Sequence, residues 1–196
     1  MKGIILVCVL ALLAGCGIKH EDVRINIPNI RANPVIGPTA FISNVIDVRQ
    51  MKPGLVGSDK AISIGGIIRD GNGTLINSER PVSEIVHDLV ANSLREMGYQ
   101  VVDNPNGATS TIAVSVIQFD AQFPFSFWRA VGYANHMVSE VETGISVTNS
   151  SGKHDFIAKG RGANVFQIES SENWEIAIER GMKDYETDFR NKMPTQ

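Results

Sequence analysis

The stretch MVSEVETGISVTNSSGKHDFIAKGRGANVFQI, residues 137–168, decides the fold. Apolar and polar side chains alternate over 137–148, and a period of two is typical of a β-strand with one buried face. The residues NSSGKHD that follow are typical of a hairpin loop, so the remainder is predicted to return as a second strand. Gly160 and Gly162 fall on one face of that return strand, and we expect another element to pack directly against its backbone there.

Two amphipathic helices are predicted, over residues 81–97 and 171–193. In both segments the apolar residues recur at steps of three and four, which is the period of an α-helix with one buried face. Pro81 suits the first turn of the first helix and Gly98 its left-handed end, whereas Ser170 or the serine after it can cap the second helix. The apolar stripes are Val82, Ile85, Val86, Leu89, Val90, Leu94 and Met97 in the first helix, and Trp174, Ile178, Met182, Tyr185 and Phe189 in the second.

Further strands are expected over residues 41–49, 61–68, 74–77, 99–102 and 110–123. In the last of these the alternation changes phase, because Ile112, Val114 and Val116 share one face whereas Ile117 and Phe119 share the other. A β-bulge is therefore predicted at the junction of the two sets.

These elements predict the α+β fold class. Strands and helices that each have one apolar face bury one another most simply as two layers. We therefore expect a two-layer sandwich in which one mixed or mostly antiparallel sheet carries both amphipathic helices packed on one face.

Composition and charge limit the functions that the chain can have. Its 196 residues are 43% hydrophobic and 20% charged, which suits about one globular domain. The 18 basic residues are outnumbered by 21 acidic ones, and the formal net charge is −3. A protein that binds nucleic acid through a strong positive charge is excluded, so no nucleic-acid partner is expected.

The N-terminus has the features of a secretory signal. Met1-Lys2 is a short basic start, and the run GIILVCVLALL at residues 3–13 is almost wholly apolar. A helix that spans a bilayer needs about 20 apolar residues, so a permanent span is the weaker interpretation of this run.

The tetrapeptide Leu13-Ala14-Gly15-Cys16 resembles the lipobox of bacterial lipoproteins. The resemblance implies that residues 1–15 are removed, that the Cys16 sulfur receives a diacylglycerol through a thioether, and that the new amine is acylated, typically with palmitate. Because Cys8 leaves with the signal and the Cys16 sulfur would carry lipid, the processed chain would have no free thiol. Apart from these covalent lipids, no cofactor is expected. Gly17 follows the cysteine, which by the sorting rule of such lipoproteins implies the outer membrane.

Residues 16–40 contain three prolines, which break any helix, and are interpreted as a lipidated N-terminus and tether. The alternation over 23–27 leaves a short edge strand ending at Pro28 as the alternative. Residues 41–196 are expected to form a single periplasmic α+β domain.

The chain resembles the YajG family of uncharacterised bacterial lipoproteins. The resemblance is carried by the lipobox, the tether, the strand VIDVR at 45–49 and the helix that closes with REMGY at 95–99. A strand-rich second half ending in an amphipathic helix also matches. The resemblance implies an outer-membrane lipoprotein whose body faces the periplasm, and it carries over no functional residue beyond Cys16.

An aromatic segment lies between the predicted strands, with the sequence FDAQFPFSFWRAVGY at 119–133. Aromatic side chains bury large areas, so one interpretation is a lid on the core. The other interpretation is a contact surface for a protein partner or the membrane interface. The candidate contact residues are Phe123, Phe125, Phe127, Trp128 and Arg129.

No spacing in the sequence predicts a catalytic residue or a metal site. Glu140 and Glu142 share the polar face of a predicted strand about 7 Å apart, a separation between the two glycosidase geometries, but such pairs are usually solvated. Asp47 and Arg49 lie two apart on one strand face and are expected to pair.

We therefore expect a lipid-anchored, periplasm-facing protein that acts without enzymatic chemistry as a binding or envelope-assembly module. Its partners would be the membrane, through the lipid, and an envelope protein, through a sheet edge or the aromatic segment. Two alternatives remain open, an auxiliary lipoprotein subunit of an envelope transport system and a cell-wall hydrolase.

Overall fold

Eight strands and two helices make up the part of the chain that the structure, a computed structural model, describes: residues 19–27, 37–49, 61–65, 74–122, 135–166 and 170–194. The elements in chain order are β1 (Lys19–Val23), β2 (Thr39–Asp47), β3 (Ala61–Gly65), β4 (Thr74–Ser78), α1 (Val82–Glu96), β5 (Gln100–Val102), β6 (Ser110–Gln122), β7 (Asn135–Asn149), β8 (Gly152–Phe166) and α2 (Ser171–Lys192).

The larger sheet has five strands in the order β5-β2-β6-β7-β8. β2 is parallel to both β5 and β6, whereas β7 is antiparallel to both β6 and β8, so the sheet is mixed. Both helices contribute to one continuous core with the inner face of this sheet. The predicted α+β fold class is therefore confirmed.

A second, three-stranded sheet in the order β1-β4-β3 was not predicted. β1 is parallel to β4, and β3 is antiparallel to it. Each of these strands has only five residues, which is too short for a clear alternation to reveal its partner.

The small sheet includes part of the segment that was interpreted as a tether. This segment does contain a strand, but it covers residues 19–23, and residues 24–27, where the alternation predicted a strand ending at Pro28, are not in one. Val23 is fully buried, and Ile25 and Ile27 pack partly buried against the core.

The central hairpin has the predicted alternation but a shorter loop. β7 and β8 have 15 residues each and pair without interruption up to Asn149 opposite Gly152, so only two residues connect them. Gly152 has a φ of 120°, a conformation that residues with a side chain rarely adopt. Most of the predicted loop is therefore part of β8.

The predicted bulge in β6 is confirmed, with a register shift between Val116 and Gln118 opposite β7. The extra residue brings Phe119 onto the same buried face as Val116. The prediction that Ile117 shares a face with Phe119 was wrong, because Ile117 is the inserted residue and is exposed.

Both helices begin and end within one residue of the predicted positions. Pro81 occupies the N-cap position of α1, and Gly98, just after its end, has a φ of 87°. The Ser170 side chain accepts a hydrogen bond from the Asn173 backbone N–H and caps α2. The stripe from Trp174 to Phe189 is buried against the sheet.

Three glycines let the α2 backbone lie directly on β8. A Cβ added to Gly162 would collide with the Ala177 carbonyl oxygen, and one added to Gly160 would collide with the Gly181 carbonyl oxygen. Gly181 is itself on α2 and faces the Ser139 hydroxyl. The expected close approach at the strand glycines is therefore confirmed.

This close approach brings two buried hydroxyls of β7 to the helix. The Ser139 hydroxyl donates to the Ala177 carbonyl oxygen at 2.6 Å, and the Thr143 hydroxyl lies 2.7 Å from the Tyr185 hydroxyl. Burial of Tyr185 raises its pKa far above the ordinary value, so the phenol stays neutral. The layers are thus held by paired polar groups as well as by apolar contact.

Replacing Gly162 by alanine should lower the free energy of unfolding by about 3 kcal/mol, because the methyl group must push α2 away from the sheet. Urea denaturation of the purified protein measures this change.

Gly144→Ala is the matched control. Its added Cβ would lie 3.6 Å from Ile117 Cδ1, which is ordinary contact, so this variant should keep its stability. Equal losses in the two variants would show that helix approach is not the reason that Gly162 is needed.

Candidate functional site

The residues that the sequence singled out as sites lie outside the described part of the chain. These are the lipobox Leu13, Ala14, Gly15 and Cys16, and the aromatic set Phe123, Phe125, Phe127, Trp128 and Arg129. Lipid attachment and an aromatic contact surface both stay predictions.

The face of the larger sheet that points away from the helices has an apolar centre. Ile46, Ser115, Gly144 and Ile157 stand opposite one another on four adjacent strands. Ile117 from the bulge lies beside Gly144, and Val48, two residues after Ile46, extends the apolar surface past the end of β2. We call the exposed residues Ile46, Val48, Ile117 and Ile157 the outer patch; their exposed fractions are 42–51%.

A shallow hollow of about 350 Å³ lies in the middle of this face. Its floor is formed by small side chains, since Ala113, Ser115 and Ser146 surround Gly144, and Ile157 stands at its side. Asp155 also lines the hollow, so a partner side chain seated on its small-residue floor would meet Ile157 and a carboxylate.

A polar cluster lies where β6 bulges, and its Asp47 is on the opposite face of β2 from Ile46. Arg49 donates to both carboxylate oxygens of Asp47, at 2.8 and 2.5 Å, and to the Phe119 carbonyl oxygen at 3.1 Å. Only 7% of the Arg49 side chain is exposed. The expected pair of Asp47 and Arg49 is therefore confirmed, and it fixes the end of β2 to β6.

Gln118 joins two carboxylates of the same cluster. Its side-chain amide nitrogen donates to Asp120 Oδ2 and to Glu140 Oε2, both at 2.9 Å. Asp120 Oδ1 is buried and has no hydrogen-bond partner among the described residues. Burial raises the pKa of Asp120 and the charge of Glu140 adds to this, against the opposing effects of Gln118 and Arg49.

The two glutamates of β7 are each paired with a cation of β8. Glu142 lies 2.9 Å from Lys159 Nζ, and Glu140 lies 3.7 Å from Arg161 Nε. Both carboxylates thus have a neighbouring positive charge on the adjacent strand, as in ordinary surface ion pairs. The arrangement favours a solvated charged surface over a glycosidase pair.

The β8 edge is occupied by side chains of α2. Asp184 and Asp188 accept hydrogen bonds from the backbone N–H groups of Arg161 and Lys159, at 2.9 and 2.8 Å. Arg180 and Lys192 donate to the carbonyl oxygens of Ala163 and Ile157, at 2.6 and 3.0 Å.

Side chains four residues apart on α2 meet backbone groups two residues apart on β8. Four residues along a helix advance about 6 Å, which is close to the length of two residues along a strand. A partner strand therefore cannot pair with β8 over residues 157–163 without displacing these side chains. The sequence predicted a partner site at a sheet edge, but the β8 edge is closed to a partner strand. The opposite edge of the sheet is β5, which has only three residues for a partner strand to pair with.

Within the described ranges, no group of three or more histidine, cysteine, aspartate or glutamate residues is arranged to hold a metal ion. Neither described helix combines the length and the apolar character that crossing a bilayer requires.

Comparison with known proteins places this domain among lipoproteins. Residues 55–174 match the family model Lipoprotein_16, described as an uncharacterized lipoprotein. The match covers more than half of the chain, which belongs to this family, and the resemblance to YajG-like lipoproteins is confirmed. The family description attaches no enzymatic activity to its members, and no curated protein matches the chain in sequence.

Two solved structures share the fold. The crystal structure of protein XCC0632 from Xanthomonas campestris, of the family DUF330, is 11% identical with a TM-score of 0.54, over 87% of this chain and 92% of that one. The crystal structure of an uncharacterized protein is 12% identical with a TM-score of 0.51, over 89% of this chain and 98% of that one. At these identities the likeness concerns the fold alone.

The outer patch was not found from the sequence, and of the polar cluster only the Asp47–Arg49 pair was predicted. Ile46, Ile117 and Ile157 each read as ordinary strand residues, and only the register of four strands places them together. The change of phase at 116–117 was the one local signal, because a bulge turns a side chain out of the core.

Removing the carboxylates of Asp184 and Asp188 together should open the β8 edge. In the double alanine variant the amide protons of Lys159 and Arg161 should exchange with solvent about fivefold faster, since a lost hydrogen bond is worth about 1 kcal/mol. Hydrogen exchange measured by NMR checks this. A double variant with Glu172→Ala and Glu179→Ala removes the same charge from α2 and should leave both rates unchanged.

The raised pKa of Asp120 should appear in the pH dependence of stability. The folded state binds this proton more tightly than the unfolded state, so the stabilising contribution is fully present below about pH 4 and is lost as pH rises through the raised pKa. From pH 7 to pH 4, the wild type should gain stability relative to Asp120→Asn. An unchanged difference in urea denaturation across this range would contradict the prediction, and exposed Asp103→Asn is the control.

Proposed function

We propose that this protein is anchored by lipid on Cys16 to the bacterial outer membrane and acts in the periplasm as a non-enzymatic binding module for an envelope protein. The outer patch is the observation that carries the proposal. Membership of a lipoprotein family and the lipobox at 13–16 support the anchor.

The outer patch differs from the usual exposed face of a sheet. In a two-layer fold the face away from the helices is expected to be polar, as it is around Glu140 and Glu142. At the centre of this face, however, Ile46 and Ile157 stand in one row across four strands, a width of about 14 Å. Apolar groups exposed together at such a place are typical of a protein-binding surface.

The charges around the patch are suited to the rim of an interface. Glu142 pairs with Lys159 on one side of the Ile157 row, and Asp155 pairs with Lys153 at 3.1 Å on the other. Because these charges are already neutralised in pairs, a partner can cover the apolar centre without leaving an unpaired charge buried. A shallow apolar centre with a polar rim fits a folded protein partner.

The test compares purification of the protein from crosslinked bacterial membranes in four forms: wild type, Cys16→Ser, Ile157→Arg and Val165→Arg. The wild type should fractionate with the outer membrane and retain a constant envelope protein. Ile157→Arg should retain at least tenfold less of it, because the guanidinium would have to be desolvated at the centre of the interface.

Val165→Arg is the matched control, since Val165 is also an exposed residue of β8 but lies eight residues beyond the patch. It should retain the partner. Cys16→Ser should leave the membrane fraction. Equal retention by both arginine variants would overturn the patch as the binding surface, and a Cys16→Ser protein that stays in the outer membrane would overturn the anchor.

A further inference from the structure

The first strand of the folded body begins very close to the proposed lipid. β1 starts at Lys19, three residues after Cys16, and Lys19 stands opposite Thr74 of β4. Thr74 in turn stands opposite Gly65 of β3, so these three residues mark one end of the small sheet.

β1 is firmly attached to the rest of the body. Val23 at its end is fully buried, and the backbone N–H of Arg24 donates to Glu175 Oε1 of α2 at 2.8 Å. The Arg24 side chain also pairs with Glu79 at 2.9 Å, just after β4. Ile25 and Ile27 then pack against the core. Residues 19–27 are therefore held by the fold and do not extend the reach of the anchor.

We propose that the fold holds the body of this protein directly on the phospholipid surface, with the Lys19 end of the small sheet next to the headgroups. This inference rests on the proposed acylation of Cys16. Three steps of 3.8 Å place the Lys19 Cα at most about 11 Å from the Cys16 Cα. One headgroup layer is about 5–8 Å thick, so the sheet begins at the membrane surface.

A free tether would give a different reach. If residues 17–40 were all extended and unattached, the body could stand about 80 Å from the membrane. With β1 in place, a body about 40 Å across stays within about 50 Å of the bilayer. The outer patch must therefore meet its partner within about 50 Å of the bilayer, and the test below measures the distance that this requires.

The distance is measured by energy transfer from a donor on Thr74→Cys to an acceptor on the lipid headgroups. The acylated protein is reconstituted in vesicles of phosphatidylethanolamine and phosphatidylglycerol. The new thiol is the only free one, because Cys8 leaves with the signal and the Cys16 sulfur carries lipid. A 20-residue Gly/Ser segment inserted between Ile18 and Lys19 spans about 25 Å and should lower the transfer efficiency at least twofold.

The same segment inserted between Asn104 and Pro105, in an exposed loop, is the matched control and should leave the transfer unchanged. Val23→Asp, which makes burial of β1 unfavourable, should act like the insertion before Lys19. An acylated, vesicle-bound protein whose transfer is weak, or does not respond to the insertion before Lys19, overturns this inference alone. An N-terminal peptide that mass spectrometry finds unacylated overturns the proposed anchor as well.

Discussion

The structure depends on the direct contact between the backbone of α2 and the backbone of β8. This contact needs positions without a side chain, and Gly160, Gly162 and Gly181 provide them. Because the helix lies so close, Ser139 and Thr143 can reach polar groups of α2, and Asp184 and Asp188 can reach the outer backbone groups of β8. One steric constraint therefore positions both the buried polar pairs and the row of side chains that closes the sheet edge.

The same constraint decides which surfaces remain for a partner. The helices cover the inner face of the larger sheet, and α2 closes one of its edges, so partner binding by strand addition to β8 is disfavoured. The outer face keeps an apolar centre, and the Arg49 side chain, bonded to Asp47 and to the Phe119 carbonyl oxygen, fixes the end of β2 to β6. A partner on this face would meet a rigid surface, which lowers the entropic cost of binding.

The fold shared at low sequence identity is consistent with a core that sets the fold and a surface that is free to differ. Protein XCC0632 has the fold at 11% identity, which a pattern of buried and exposed positions can maintain without particular surface residues. A pattern of buried and exposed positions does not specify which side chains form the surface, so proteins that share it need not share the outer patch. Function in this fold must therefore be argued from the residues of each chain.

The alternation of β7 and β8, the two helices and their caps, the bulge in β6 and the need for an element against Gly160 and Gly162 could all be predicted from the amino-acid sequence. Each of these features depends on residues within one segment, because the period of the apolar residues indicates which side of a strand or helix is buried. The sequence also predicts the lipid on Cys16.

Three features could be seen only once the chain was folded: β1 pairs with β4, Gln118 bridges Asp120 to Glu140, and Ile46 lies in one row with Ile157. Each of these depends on the register between strands distant in sequence. That register is set by packing of the whole core, which the alternation within a single strand does not encode.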